Sequence, residues 1–221
     1  MKQSAGGRTV QVLIALGKSV CYLALFLGAQ VLVMLPVVVA AAVQSALENW
    51  EAAEQLSGVL YESAMLFTAV SGLLAIGVIL LFYRIRRKKL GDALWLRWVE
   101  GPGLLSGAAL APALYLAVTV AMMALPEAWL DSYAEASSGV SGGGVIGIVA
   151  VVLVAPVVEE FIFRGLIMTR LAQAMPGWLA AALSAAIFGL CHGHPVWFAY
   201  TFVLGVLFGL MDLRLGSIWP S

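Results

Sequence analysis

Residues 145–164 read VIGIVAVVLVAPVVEEFIFR, and this stretch decides the class of fold. Its first fourteen residues are apolar or small, and two carboxylates, Glu159 and Glu160, follow them directly. A charged group costs about 2.5–3.5 kcal/mol at the centre of a membrane-spanning helix, so such groups persist there mainly where they pair or do chemistry. The stretch therefore predicts a membrane-spanning helix that carries a functional polar cluster, completed by Arg164.

The composition indicates an integral membrane protein. Of the 221 residues, 62% are hydrophobic and 11% are charged, whereas about 25% of the residues of a soluble domain are charged. Mean hydropathy is +1.01. Because backbone groups in lipid must find their hydrogen bonds within the segment, long apolar runs are expected to be helices. The predicted fold class is all-α, a polytopic bundle of about six transmembrane helices whose main partner is the lipid bilayer.

The apolar runs define the spans, since about 20 residues cross the hydrocarbon core. A short interfacial helix is expected at 90–100 and a flexible link at 137–144. Residues 1–143 are expected to form N-terminal membrane helices with their connections, and residues 144–221 a separate C-terminal core. The predicted spans are residues 19–47, 64–83, 103–125, 144–175, 178–192 and 196–211.

Basic and acidic residues are segregated along the chain, although the formal net charge is zero. Most Lys and Arg residues lie in 1–18 and 84–97, whereas 48–63 and 126–143 carry acidic residues and no basic residue. Cytoplasmic flanks of membrane spans are enriched in Lys and Arg. We therefore expect a multi-pass protein of the cell (plasma) membrane with a cytoplasmic N-terminus. The basic run is interpreted as a topology signal, and no nucleic-acid partner is expected.

Helical spacing divides the polar cluster into a pair and a remaining carboxylate. Glu160 and Arg164 are four residues apart and share a helix face, so they are predicted to pair. Glu159 points about 100° away from Glu160, and no basic residue stands three or four positions from it. Glu159 is therefore the candidate general base, with Glu160 and Arg164 as its support.

The only two histidines, His192 and His194, follow a predicted hairpin turn at Pro176. Glu159 lies 17 residues before that proline and His192 lies 16 after it, so antiparallel helices would place both at one level. A carboxylate and an imidazole at one level could share a metal ion or an activated water. His194 is a further candidate ligand. Phe188, four residues before His192, is expected on the same helix face.

The sequence gives conflicting depths in the membrane for Glu159 and His192. Glu159 lies 15 residues into the fourth span, about 22 Å from its start at 1.5 Å per residue. His192, in contrast, comes just before a turn at 193–195 that is typical of an outer loop. The two depths agree only if the fourth span begins below the surface or if that turn is itself buried.

Two motifs in the C-terminal third resemble the pattern of a known family. Glu-Glu-x-x-x-Arg at 159–164, followed by Phe-x-x-x-His at 188–192, is similar to the pattern of the CPBP intramembrane proteases. That family includes the CAAX prenyl endopeptidases and bacteriocin-processing, bacteriocin-immunity and Abi-type proteins. The resemblance covers about residues 144–221 and implies a metalloprotease core in which Phe188 packs beside the site.

The resemblance implies an intramembrane endopeptidase that hydrolyses peptide or protein substrates at the membrane. Glu159 would activate water, directly or through a divalent metal such as zinc, with help from His192. Glu160 and Arg164 would orient the site. The expected metal ligands are Glu159 and His192, with His194 as a further candidate.

The family pattern continues into a helix with another His and usually an Asn. The sequence reaches Ser221 before such residues, so the core is expected to be truncated at its C-terminus. Two alternatives stay open. One is a non-catalytic bacteriocin-immunity or scaffold protein that binds a peptide or another membrane protein. The other is a small transporter in which Glu159 and Glu160 carry protons.

Overall fold

The computed structural model describes residues 5–87, 90–138 and 144–219, and within these ranges every regular element is a helix. The predicted all-α membrane bundle is therefore confirmed. In chain order the helices are α1 (Ala5–Ala46), α2 (Trp50–Glu62), α3 (Ala64–Ile85), α4 (Leu90–Leu94), α5 (Gly101–Met122), α6 (Glu127–Ser138), α7 (Gly144–Ala172), α8 (Gly177–Leu190) and α9 (Pro195–Leu215).

Five of the described helices, α1, α3, α5, α7 and α9, are long and apolar enough to cross a membrane. The prediction of about six spans also counted residues 178–192. The corresponding helix, α8, has 14 residues, a length of about 21 Å against a hydrocarbon core of about 30 Å. It begins directly after Pro176 and ends before Gly193, whose φ is +69°. Turns at both ends therefore keep α8 shorter than a span.

Three other expectations are corrected at the helix ends. The first helix has 42 residues, begins at Ala5 and continues through Pro36, so it is longer than the predicted 19–47. The interfacial helix expected at 90–100 is helical only in α4, because Trp95 adopts a left-handed backbone conformation with φ 52°. In the link expected at 137–144, α6 continues to Ser138, and residues 139–143 lie outside the described ranges.

The two acidic segments form helices α2 and α6. The Asn49 side chain caps α2 by accepting a hydrogen bond from the Ala52 amide, and α2 packs along α1. The C-terminal ends of the two acidic helices meet, because the Tyr61 and Ser138 hydroxyls are hydrogen-bonded. The acidic helices therefore lie on one side of the bundle.

Small residues bring α8 and α9 into close contact. A Cβ atom built on Gly205 would lie 2.8 Å from the Ala185 Cβ, and one built on Gly209 would lie 3.2 Å from the Ala181 Cβ. The Gly205 distance is shorter than Cβ atoms tolerate, and the Gly209 distance is tight, which is the packing role expected of small residues four apart in a membrane helix. This close packing therefore fixes the position of α8 against α9.

Helix α7 contains two π-helical segments, Ala150–Val154 and Glu160–Met168. π-Helical segments frequently occur at functional sites, since the wider turn changes which side chains share a face. The second segment is anchored to α8, because the Ser184 hydroxyl donates a 2.7 Å hydrogen bond to the Phe163 carbonyl. Its residues 162–168 are buried. Glu160 and Arg164 of the polar cluster therefore lie in a π-helical segment that is buried in the bundle.

Candidate functional site

A cavity of about 660 Å³ brings the two sequence motifs together. It lies between α1, α3, α6, α7, α8 and α9, and Glu159, Phe188 and His192 all line it. The first of these residues comes from the Glu-Glu-x-x-x-Arg motif and the other two from the Phe-x-x-x-His motif. The predicted juxtaposition across the hairpin is thus found in the structure.

The short length of α8 explains the depth of the site. Glu159 lies 13 residues before the end of α7 at Ala172, about 20 Å along that helix, and the 14 residues of α8 cover about 21 Å in the opposite direction. The end of α8 therefore returns to the level of Glu159 instead of reaching the far surface. The turn after α8 is contacted by α6, where the Ser132 hydroxyl bonds His194.

The two adjacent carboxylates have different surroundings. Glu160 pairs with Arg164, with 2.7 Å between Oε1 and Nη1, as the four-residue spacing predicts. Among the residues that the structure describes, Glu159 makes no ion pair and no hydrogen bond, and its side chain is half-buried beside the cavity. Glu159 is therefore the carboxylate that can accept a proton or a hydrogen bond from a bound molecule.

The orientation of His192 is fixed by Phe188. The Nδ1 atom of His192 lies 2.9 Å from the Phe188 carbonyl oxygen. Because a carbonyl can only accept, we assign the proton to Nδ1, which leaves the Nε2 lone pair available. The Phe188 ring also meets the imidazole edge-on, with centroids 4.8 Å apart and planes at 86°. The imidazole is therefore held by both the backbone and the ring of one residue.

Phe188 also contacts the buried ion pair. The Cζ atom of Arg164 lies 5.4 Å from the centroid of the Phe188 ring, a cation–π distance. The Phe163 ring packs 5.1 Å from the Phe188 ring, measured between centroids. A continuous set of contacts therefore runs from Glu160 through Arg164 and Phe188 to His192. Phe188, the residue predicted to pack beside the site, lies at the centre of these contacts.

His194 occupies a different position. Its Nε2 atom lies 2.8 Å from the Ser132 hydroxyl, and its Nδ1 atom accepts a 3.2 Å hydrogen bond from the Val196 amide. His194 is not among the residues that line the cavity. Both ring nitrogens are thus used to cap α9 and to hold α6, an arrangement that favours a structural role over the predicted ligand role.

The donor set falls short of a complete zinc site. A catalytic zinc usually has three protein ligands. Within residues 5–87, 90–138 and 144–219, no group of three or more His, Cys, Asp or Glu side chains is placed to hold a metal. Glu159 and His192 would supply two donors. Zinc therefore stays a prediction of the sequence.

Several cavity residues were not found by sequence reasoning. Tyr133 from α6 and Tyr200 from α9 both line the cavity. Trp197 lies one turn before Tyr200 and contacts the Tyr133 ring, with centroids 6.1 Å apart. The only signal in the sequence is the presence of polar aromatic residues near helix starts. Nothing in their spacing predicts that α6 packs on α9.

The C-terminal part of the chain matches a protein family. The family model described as type II CAAX prenyl endopeptidase Rce1-like matches residues 141–221, which contain both motifs. The resemblance to the CPBP and CAAX proteases is thereby confirmed for this segment, and residues 1–140 lie outside the match. No curated protein and no solved structure matches the chain.

Proposed function

Because residues 141–221 are similar to the type II CAAX prenyl endopeptidases, we propose that this polytopic membrane protein is an intramembrane endopeptidase acting on peptide or protein substrates. The observation that carries the proposal is the shared cavity of Glu159 in α7 and His192 in the turn after α8, which belong to different motifs. A carboxylate without an ion pair and an imidazole with an available Nε2 are suited to activating water.

The reaction proposed for this cavity is hydrolysis of a peptide bond. A water molecule donates one hydrogen bond to the Glu159 carboxylate and the other to Nε2 of His192. Its oxygen attacks the carbonyl carbon while Glu159 takes a proton and the carbonyl electrons move onto oxygen. When the carbonyl re-forms, the C–N bond breaks and Glu159 passes the proton to the leaving nitrogen. The products are a carboxylic acid and an amine, and the proton of the acid then passes to the amine to give a carboxylate and an ammonium group.

Tyr200 is the proposed donor to the negative oxygen that forms during this reaction. Its phenol lines the same cavity as Glu159 and Tyr133. Preorganised donors aimed at a developing oxyanion contribute strongly where water is excluded. Tyr133 would orient Tyr200 from α6, so this helix would contribute to catalysis as well as to packing.

A membrane peptidase assay tests the proposal directly. The purified protein would be given prenylated and unprenylated peptides, because nothing in the cavity requires a prenyl group. We expect Glu159→Ala and His192→Ala each to lose cleavage while the folded yield stays near that of the wild type. Undiminished cleavage in both variants would remove these residues from the mechanism.

The divalent metal remains a separate proposal. If zinc takes part, Glu159 and His192 are its donors in the described residues, and it would supply a polarised water in this cavity. Loss of cleavage on chelation and its recovery on adding zinc would support this role. Cleavage that withstands a strong chelator would argue against it.

The proposed location is the plasma membrane, with the N-terminus in the cytoplasm. Residues of α6 and the start of α3 line the cavity, so it lies toward the side of the acidic helices, which carry no basic residue. By the distribution of Lys and Arg this side is extracytoplasmic. A Ser57→Cys variant in α2, labelled in intact cells with an impermeant maleimide, tests the orientation. Labelling only after lysis would reverse it.

A second candidate is a non-catalytic protein that binds a peptide or membrane partner in the same cavity. The observation that favours it is the incomplete set of metal donors among the described residues. It predicts peptide binding that survives Glu159→Ala and no cleavage by the wild type. Binding and cleavage measured on the same peptides distinguish the two functions.

A further inference from the structure

A second cavity lies near the opposite end of α7. Its volume is about 260 Å³, and it is formed by one face of α1, including Lys18, and the last turns of α7, including Arg170. Arg170 is 11 residues from Glu159, about 16 Å along the helix. This cavity is therefore distinct from the candidate active site, and a ligand bound in it would be independent of the proposed function.

The charges in this cavity are positive and uncompensated. Among the described residues, Lys18 and Arg170 are the charged ones that line it, and no carboxylate does. In the part of the chain that the structure describes, the ion pair is that of Glu160 and Arg164, so neither cavity cation has a carboxylate partner. The Nε atom of Arg170 is buried and has no hydrogen-bond partner there. Two cations facing one cavity favour an anionic ligand.

Neutral groups hold the Arg170 side chain in place. Its Nη2 atom donates a 2.8 Å hydrogen bond to the Tyr83 hydroxyl. The Tyr83 hydroxyl is in turn 3.0 Å from the Tyr22 hydroxyl. The Nη1 atom donates to Gln173 at 3.4 Å. These partners are uncharged, so they fix the guanidinium but do not compensate its positive charge. A planar guanidinium is suited to binding phosphate oxygens.

The neighbouring residues indicate the depth of this cavity in the membrane. Tyr83 lies at the end of α3 and is followed by the exposed residues Arg84, Arg86 and Arg87. Trp178, at the start of α8, is 64% exposed. Basic residues and tryptophan gather where a span meets the lipid headgroups. The cavity therefore lies at headgroup level on the side rich in Lys and Arg.

We propose that this cavity binds a phosphate group, supplied by an anionic phospholipid headgroup or by a free phosphate compound. Arg170 would bind the phosphate through its fixed guanidinium, and Lys18 would add a second charge from α1. Ile14 and Ala15 line the same cavity, so an apolar surface stands beside the phosphate position. A lipid bound here would join the first helix to the end of α7.

Thermal unfolding of the purified full chain in neutral detergent tests the site. Phosphatidylglycerol, phosphatidylcholine and inorganic phosphate would be titrated separately. We expect phosphatidylglycerol to raise the unfolding temperature at concentrations where phosphatidylcholine does not. Lys18→Gln should weaken the apparent affinity for phosphatidylglycerol about fivefold. Arg84→Gln removes one charge at the same depth but outside the cavity, and it should change that affinity less than about twofold.

The outcomes separate the sources of the phosphate and the alternatives. A shift reproduced by inorganic phosphate and lost in Lys18→Gln supports the site and identifies a free phosphate compound as its ligand. Equal weakening by Lys18→Gln and Arg84→Gln would show diffuse attraction to the surface and overturn the proposal. No shift with either lipid or phosphate would also overturn it. Lys18 is the residue chosen for substitution because its side chain is exposed. Its replacement is therefore expected to leave the packing of the bundle intact.

Discussion

The guanidinium of Arg164 lies over the ring of Phe188, with Cζ 5.4 Å from the ring centroid. Arg164 pairs with Glu160 on its own helix, and the Phe188 ring holds the edge of the His192 imidazole. The ion pair of the first motif therefore reaches the histidine of the second motif through one aromatic ring. The two motifs act as one packed unit.

Phe188→Leu tests this unit. The variant keeps the backbone carbonyl that binds Nδ1 of His192 but removes the ring that orients the imidazole. Aromatic contacts of this kind contribute about 0.5–1.5 kcal/mol each, so we expect kcat to fall about tenfold with little change in KM. Steady-state kinetics on a peptide substrate measure the effect.

The matched control is Phe202→Leu. Phe202 stacks on Phe198, with centroids 5.8 Å apart, and does not line the cavity of Glu159 and His192. It should lose a similar amount of stability and keep its kcat. An equal loss of kcat in both variants would mean that general destabilisation, and not the position of His192, explains the effect.

Substitutions of the two adjacent carboxylates should affect different properties, activity for Glu159 and stability for Glu160. Glu159→Gln removes the proposed base but no ion pair, so kcat should fall about 10²–10⁴-fold while the unfolding temperature changes little. Glu160→Gln leaves the buried Arg164 guanidinium without its partner, and removing one partner of a buried pair costs about 3–5 kcal/mol. It should therefore lower the unfolding temperature clearly.

Activity and thermal unfolding, measured on the same preparations, separate the two carboxylates. Full activity in Glu159→Gln would remove this carboxylate from water activation. A stable Glu160→Gln protein would mean that the pair contributes little to folding. A double variant, Glu160→Gln with Arg164→Met, should recover part of the lost stability because it leaves no unpaired charge.

Local spacing is sufficient to predict the ion pair and the turns. The four-residue interval of Glu160 and Arg164 and the Pro-Gly step before α8 act within one helix or one hairpin, where sequence distance translates into spatial distance. The match in level between Glu159 and His192 follows from the same counting. These features can therefore be derived without any knowledge of the rest of the fold.

The walls of the cavity cannot be derived in this way. Tyr133 and Tyr200 line the same cavity only because α6 packs on α9, and the two residues are separated by two helices along the chain. The length of α8 is also not predictable from composition, because an apolar run bounded by turns resembles a span whether or not it crosses the membrane. Both features depend on contacts between distant segments, which have no periodic signal in the sequence.

Tyr200→Phe tests the proposed oxyanion donor. The substitution removes one hydroxyl and keeps the ring, so the packing of α9 should be preserved. Loss of one oxyanion donor costs about 10²–10³ in kcat in other hydrolases, and we expect kcat to fall in that range with KM within about threefold of the wild type. Tyr133→Phe, which removes only the orienting partner, should have a smaller effect. The donor role would be refuted if Tyr200→Phe kept its full kcat.

Replacing Gly205 or Gly77 by alanine should change the stability of the protein in opposite directions. A Cβ atom at Gly205 would lie 2.8 Å from the Ala185 Cβ and 3.2 Å from its Cα, so Gly205→Ala must push α9 away from α8. Overpacking of this kind costs about 1–3 kcal/mol. A Cβ atom at Gly77 in α3 meets nothing within 4 Å, and Gly77→Ala should stabilise its helix by about 0.5–1 kcal/mol through helix propensity.

The functional consequence separates these two substitutions further. Displacing α9 also displaces the turn that carries His192, so Gly205→Ala should lower kcat as well as the unfolding temperature, whereas Gly77→Ala should leave kcat unchanged. If Gly205→Ala proved as stable and as active as Gly77→Ala, the close approach of α8 and α9 would not be needed to position the imidazole. A loss of both stability and kcat in Gly205→Ala alone would mean that the glycine face of α9 positions the His192 imidazole.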